Sequence, residues 1–275
     1  MVTPYSLPGE GMEMDLLESA RQKIQAAVGY DGQLQEVGAH TGETEKPVSS
    51  LIEEAQQLFV AGEYEKVLAL QADRGKIDSP ELAHLVAWSH VMRGNIFFGQ
   101  AKTKAGADAD RLWVLVGEKY AAALAIKPDM HEALYNWGLL LDAQARTKSG
   151  AEADRLFSRA EEKYAAALAI KPDFHEAYNS WAEDLLSQAE GKSKEVTEGL
   201  LRQAEERARK AESLAPGAAT YNLACIEARK GNEDSCRAWL IKCKEFGTLP
   251  PREHLLQDPD LSSIRQRDWF QNFLD

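Results

Sequence analysis

From Val48 onward, apolar residues return every three or four positions, the period of one face of an α-helix. Leu51, Ala55, Leu58 and Phe59 form a first stripe, Ala61-Gly62-Glu63-Tyr64 reads as a turn, and Val67, Leu68 and Leu70 form the returning stripe before Ser79-Pro80. The pattern predicts a helical hairpin of about 34 residues. Ahead of it, Leu17, Ala20, Ile24 and Ala27 predict one short amphipathic helix over Met14 to Val28. Residues 1–12 carry Pro4, Pro8, Gly9 and Gly11 without helical period, and Gly29 to Pro47 is polar and glycine-rich, so these read as a loose tail and a linker or loop.

Further along, the pattern repeats as sequence. Glu118 to Asp129, Glu-Lys-Tyr-Ala-Ala-Ala-Leu-Ala-Ile-Lys-Pro-Asp, recurs unchanged at Glu162 to Asp173, a spacing of 44 residues. Thr103-Lys104, Ala109 to Leu112 and His131-Glu132-Ala133 recur at the same spacing, and Ala211 to Pro216 is a diverged third copy. Periods of this size mark arrays whose units bury their apolar faces against neighbours. Asp129 with Glu132, and Asp173 with Glu176, have the spacing of a capping box, so a helix is expected just after each Lys-Pro-Asp. Gly150 is expected to end the first helix of its hairpin. Leu156 and Phe157 extend the apolar stripe backward, which argues against a long loop.

The helix pair, its small residues, its turn Gly and Tyr and its closing proline resemble the tetratricopeptide repeat. Ala133, Asn136, Trp137, Gly138 and Leu141 match the family's first-helix pattern; Ala160, Tyr164, Ala167, Leu168 and Pro172 match its second. Ala177, Trp181, Ala182 and Leu185 follow, then Ala204, Ala208, Ala211 and Pro216, and a last unit runs through Ala219, Asn222, Leu223, Ala224, Gly231, Cys236, Leu240 and Cys243. The copies exceed the family's length by about ten residues, which shared between two helices would add about five to each. Tyr221 to Cys225 with Asp258-Pro259-Asp260-Leu261 resembles the closing unit of bacterial arrays of this family. Leu261, Ile264, Phe270, Phe273 and Leu274 then predict an amphipathic final helix that covers the last repeat.

The resemblance implies an all-α, right-handed superhelical solenoid of antiparallel helix pairs. Residues 1–47 precede it, 48–250 form the array, and 251–275 form the cap. It also implies that first helices line a groove for a protein or peptide partner. The expected partner-binding residues are Asn95, Phe98, Tyr135, Asn136, Leu139, Asp142, Asn179, Glu183, Tyr221 and Asn222, with Val91, Ser180 and Cys225 beside them. Asparagine amides can pair with a bound backbone, aromatic rings give apolar contact, and Asp142 and Glu183 favour a basic side chain. The family's chaperone-binding branch clamps a terminal carboxylate with basic residues, whereas the corresponding places here hold Val91, Tyr135, Asn179 and Tyr221.

A formal charge of −12 and a pI near 5.1 disfavour nucleic acid and favour basic or neutral partners. Cys225, Cys236 and Cys243 lack disulfide or ligand spacing and read as buried small residues in a reducing compartment. No signal peptide or membrane span is evident, so a cytoplasmic address is expected. His131 and His175 read as solvated helix-start residues, and Trp137 and Trp181 as core. No phosphate loop, nucleophile elbow or zinc-protease motif occurs, and Glu183 and Asp184, adjacent on a helix, point apart and do not make an acid/base pair. No enzyme, cofactor or metal is expected. The function expected is a non-catalytic interaction scaffold, monomeric without its partner. The alternatives are a self-assembling structural array, or a regulatory ligand-sensing module in which the N-terminal helix folds over the groove.

Overall fold

The computed structural model describes residues 47–72 and 79–274. The expected tail, the Met14 to Val28 helix and all of the linker but Pro47 lie outside the described residues. Among the described residues there are twelve α-helices, one 3-10 turn and no strand.

The chain divides into two compact units, residues 1–128 and 129–275. The first contains α1 (Val48–Val60), α2 (Tyr64–Ala72), α3 (Pro80–Lys102) and α4 (Gly106–Ile126). Each packs on the next, with α3 and α4 the most intimate pair. Gly62 makes the predicted turn at φ +76°, and Ser79 caps α3, its Oγ accepting from the Leu82 amide at 3.2 Å just ahead of Pro80, where a proline needs no hydrogen bond.

The second unit contains three hairpins and a closing segment. The hairpins are α5 (His131–Ala145) with α6 (Gly150–Ile170), α7 (His175–Gln188) with α8 (Lys194–Leu214), and α9 (Thr220–Lys230) with α10 (Glu233–Phe246). The closing segment is α11 (Arg252–Gln257), the 3-10 turn Pro259–Leu261 and α12 (Asp268–Leu274). Within this unit α5 touches α7, and α7 touches α9, so the first helices are neighbours.

The 44-residue spacing governs the second helices most strictly. Helices α4, α6 and α8 are each 21 residues long and start 44 apart, about 31 Å at the usual rise. The partner of α4, α3, has 23 residues, whereas α5 and α7, the partners of α6 and α8, have only 15 and 14, about 22 Å. In those two hairpins the extra length is therefore not shared equally, as the sequence suggested. Gly150 explains why: it opens α6 at φ +59°, a conformation glycine adopts freely, rather than ending α5. Helix α5 stops at Ala145, and the stripe that includes Phe157 packs back on Ala145 and Ala153.

Two other boundaries also differ. Helix α5 begins at His131 and α7 at His175, with Met130 and Phe174 at the cap positions, so Asp129 and Asp173 stand one residue ahead of the caps. The final helix is broken: Asp258 Oδ1 accepts from the Asp260 amide at 2.8 Å and starts only a 3-10 turn, and α12 begins at Asp268. Leu255, Leu261, Ile264 and Phe270 nevertheless enter one core with Leu223, Ile226 and Leu240, which covers the last hairpin as repeat ends require.

Close helix approach depends on small residues. A Cβ on Gly94 would lie 2.6 Å from the Tyr120 ring, and one on Gly138 would lie 2.4 Å from Tyr164. Both tyrosines are fully buried. In the next copy, 44 residues on, both members of the pair are alanines, Ala182 and Ala208, each with no exposed surface.

Candidate interaction site

Polar cross-links run between the first helices of the second unit. Tyr135 on α5 and Ser180 on α7 share a hydroxyl hydrogen bond of 3.1 Å. Asn222 Nδ2 on α9 donates to Asn179 Oδ1 on α7 at 2.9 Å and to its carbonyl at 3.3 Å. Arg229 Nη1 donates to the Leu186 carbonyl at 2.7 Å. These bonds fix neighbouring hairpins in register, because each buried donor or acceptor left unpaired would cost about 1–3 kcal/mol.

A carboxylate cluster lies in the same row. Arg146 Nε donates to both oxygens of Asp142 at 2.9 Å, and its Nη2 reaches Glu183 Oε1 at 3.2 Å. Asp184, the next residue of α7, is 2% exposed. Burial pushes the Asp184 carboxyl well above the usual range, and the charge of Asp142 adds to it. Glu183 is raised too, first by burial, with Arg146 opposing and Asp142, Asp260 and Asp258 adding. Asp184 Oδ2 and the hydroxyl of Tyr164 have no hydrogen-bond partner among the described residues. Burial raises the tyrosine's pKa well above its usual value, and the charges of Asp184 and Asp142 add to it.

A second group closes the row. Cys225, Asp258 and Asp260 bring a thiol and two carboxylates within 4.8 Å of one another, and among the described residues they are the set that could hold a metal ion. Each already has a protein partner: Tyr221 donates to Asp258 Oδ2 at 2.5 Å, the Cys225 thiol donates to the same oxygen at 3.8 Å, and Arg229 pairs with Asp260 at 3.2 Å. Burial and Asp258 push Asp260 up to about 6. The burial expected of Cys225, Cys236 and Cys243 is observed.

The expected partner-binding residues fall into two depths. Tyr135, Asn136 and Asp142 are buried, as is Cys225 and, in the first unit, Val91. Tyr135 packs edge-on against Phe174 and tilts against Tyr164. Leu139, Asn179, Glu183, Tyr221 and Asn222 are half-buried. In the first unit Asn95 and Phe98 are half-buried as well; Asn95 accepts the Tyr120 hydroxyl at 2.7 Å, and Phe98 packs on Trp113 with centroids 5.7 Å apart. Trp137 and Trp181 are only partly buried, covered by Lys163 at 3.9 Å and Arg207 at 4.2 Å. His131 stacks edge-on against Phe174 instead of standing in solvent.

Arg146, Tyr164 and Asp184 were missed by the sequence reading, which weighed Asp184 only against adjacent Glu183. A signal was present. At the 44-residue spacing, Asp184 stands where Ile96 and Leu140 stand, and Asp142 where Phe98 and Leu186 stand. A carboxylate at a position that its sister copies fill with apolar side chains departs from the local packing rule, and such departures concentrate at functional sites. No helix of the described residues is long and apolar enough to cross a membrane. No protein-family model matches the chain, and neither does any curated protein sequence.

Proposed function

We propose that the protein is a non-catalytic interaction scaffold of tetratricopeptide type, and that its second unit binds an extended basic segment of a protein partner across α5, α7 and α9. One observation carries this reading: Asp142, Glu183, Asp184, Asp258 and Asp260 lie on the neighbouring helices α5 and α7 and on the closing turn that packs against α9, where Arg146 pairs with Asp142 and Glu183, Arg229 with Asp260 and His254 with Asp258. The surplus of negative charge there agrees with the overall −12 and favours encounter with cations. Half-buried Leu139, Asn179, Tyr221 and Asn222 supply the apolar and amide contacts that an extended chain uses. A cleft of about 440 Å³ lined by Glu190, Arg229, Asp260 and Ser263 extends the surface at the closing end.

The test is fluorescence anisotropy with a labelled Gly-Ser-Arg repeat peptide and its Gly-Ser-Glu counterpart. The basic peptide should bind and weaken as salt rises, because screening shortens the reach of exposed charges. Equal binding of the two peptides, or none of the basic one, would sink the proposal.

A further inference from the structure

The cluster of Asp142, Glu183 and Asp184 is more than a charged patch. Arg146 bridges two carboxylates, Asp142 and Glu183, and Asp184 follows Glu183 on α7. An Asp184 oxygen and the Tyr164 hydroxyl have no hydrogen-bond partner among the described residues and sit on residues 2% exposed and fully buried. The side chains of Arg146 and Glu183 are 28% and 31% exposed, so this edge of the cluster meets solvent. Both deep carboxylates occupy positions where sister copies hold apolar residues, buried Leu140 for Asp184 and buried Leu186 for Asp142. Packing alone would be served by leucine, and an apolar replacement of a buried ionic group is often neutral or stabilising. Something other than packing therefore calls for these acids.

We propose that this pocket seats one cationic side chain, an arginine or a lysine, of the bound segment, which enters past Glu183 and takes Asp184 as its counter-ion. The inference rests on the scaffold reading and names the chemistry that one subsite recognises. Charge balance defines the exchange. Before the segment binds, three carboxylates face one arginine and one proton held on Asp184, a net charge of −1. The entering cation replaces that proton, which leaves to solvent, so the net charge of the pocket is unchanged. The Arg146 contact with Glu183 is the exposed one and opens, while the two bonds from Nε to Asp142 stay. The groups that set the exchange are Tyr135 and Asp142 from α5, Arg146 just past its end, Tyr164 from α6, Glu183 from α7, and Asp258 and Asp260 from the closing segment. Because the ligand binds the deprotonated form, affinity rises with pH until Asp184 has lost its proton and is flat above.

The experiment uses the full chain and the Gly-Ser-Arg and Gly-Ser-Lys repeat peptides in calorimetry, in two buffers of different ionisation enthalpy. On the acid side of the Asp184 titration, the native protein should release about one proton per peptide bound. Asp184→Leu should release none and bind at least tenfold more weakly, with an unchanged or raised Tm because it restores the sister residue. Asp184→Asn, which keeps the shape, should also lose the proton release and guards against misfolding of the leucine variant. Peptide binding with the same affinity and proton count in both variants would overturn the pocket and leave the scaffold intact. Failure of the native protein to bind either peptide would remove both. A large fall in Tm for both variants, with peptide affinity retained, would assign Asp184 to the framework and also overturn the proposal.

Discussion

Two hairpins, α3 with α4 and α5 with α6, solve the same packing problem and finish it differently. In each, a glycine on the first helix lets a tyrosine ring from the second lie against the backbone, Gly94 under Tyr120 and Gly138 under Tyr164. In the first, the buried hydroxyl donates to Asn95 Oδ1 at 2.7 Å. In the second, Leu139 stands at the asparagine's place, and the Tyr164 hydroxyl has no partner. The repeat thus conserves shape and lets polar completion vary. The hairpin left incomplete is also the one beside the Asp142 and Asp184 carboxylates, which makes the difference chemical instead of incidental.

The comparison breaks first if the shared part is not shared. Gly138→Ala places a Cβ 2.4 Å from the Tyr164 ring, and overpacking of this kind costs about 1–3 kcal/mol. Gly94→Ala should cost nearly the same, since its contact is 2.6 Å. Urea unfolding followed by circular dichroism measures both; a harmless Gly138→Ala would show that the close approach does not require glycine. The next effect sharpens the difference. Tyr120→Phe removes a made hydrogen bond and should cost about 1 kcal/mol, whereas Tyr164→Phe removes only an unpartnered hydroxyl and should be neutral or stabilising. Equal losses at the two sites would mean that Tyr164 is satisfied after all.

Much of this was legible in the chain. The repeat and the Gly62 turn rest on local chemistry, and local chemistry can be read residue by residue. The division of length between helices was not, because it turned on whether Gly150 ends one helix or begins the next, and glycine suits either. The residues expected to bind a partner lie at different depths. Tyr135 and Asn136 lie on the predicted row, yet Phe174 and Tyr164 cover Tyr135, and both residues are buried. Depth depends on how neighbouring hairpins lean, which one helix's periodicity does not contain. Asp184 was readable only by comparing copies column by column, since Asp142, whose charge acts on it, lies 42 residues away.

The smallest effect tests whether copies also vary on the outer surface. Trp137 and Lys163 in one copy become Trp181 and Arg207 in the next, each a cation over an indole. The corresponding pair in the first hairpin is Arg93 and Lys119, which has no ring; Arg93 instead pairs with Glu65 at 2.5 Å and covers Phe97 at 4.7 Å. Burial and Arg159 hold the Lys163 ammonium below its usual pKa, so the indole's attraction works against partial desolvation. Lys163→Met keeps the stem that covers the ring and removes only the charge. It should cost about 0.5–1 kcal/mol, while Lys119→Met should cost nothing measurable. A double-mutant cycle with Trp137→Leu isolates the pair. A coupling energy of zero would reduce the lysine to a space-filling stem, and the second and third copies would then resemble the first in everything but the tryptophan.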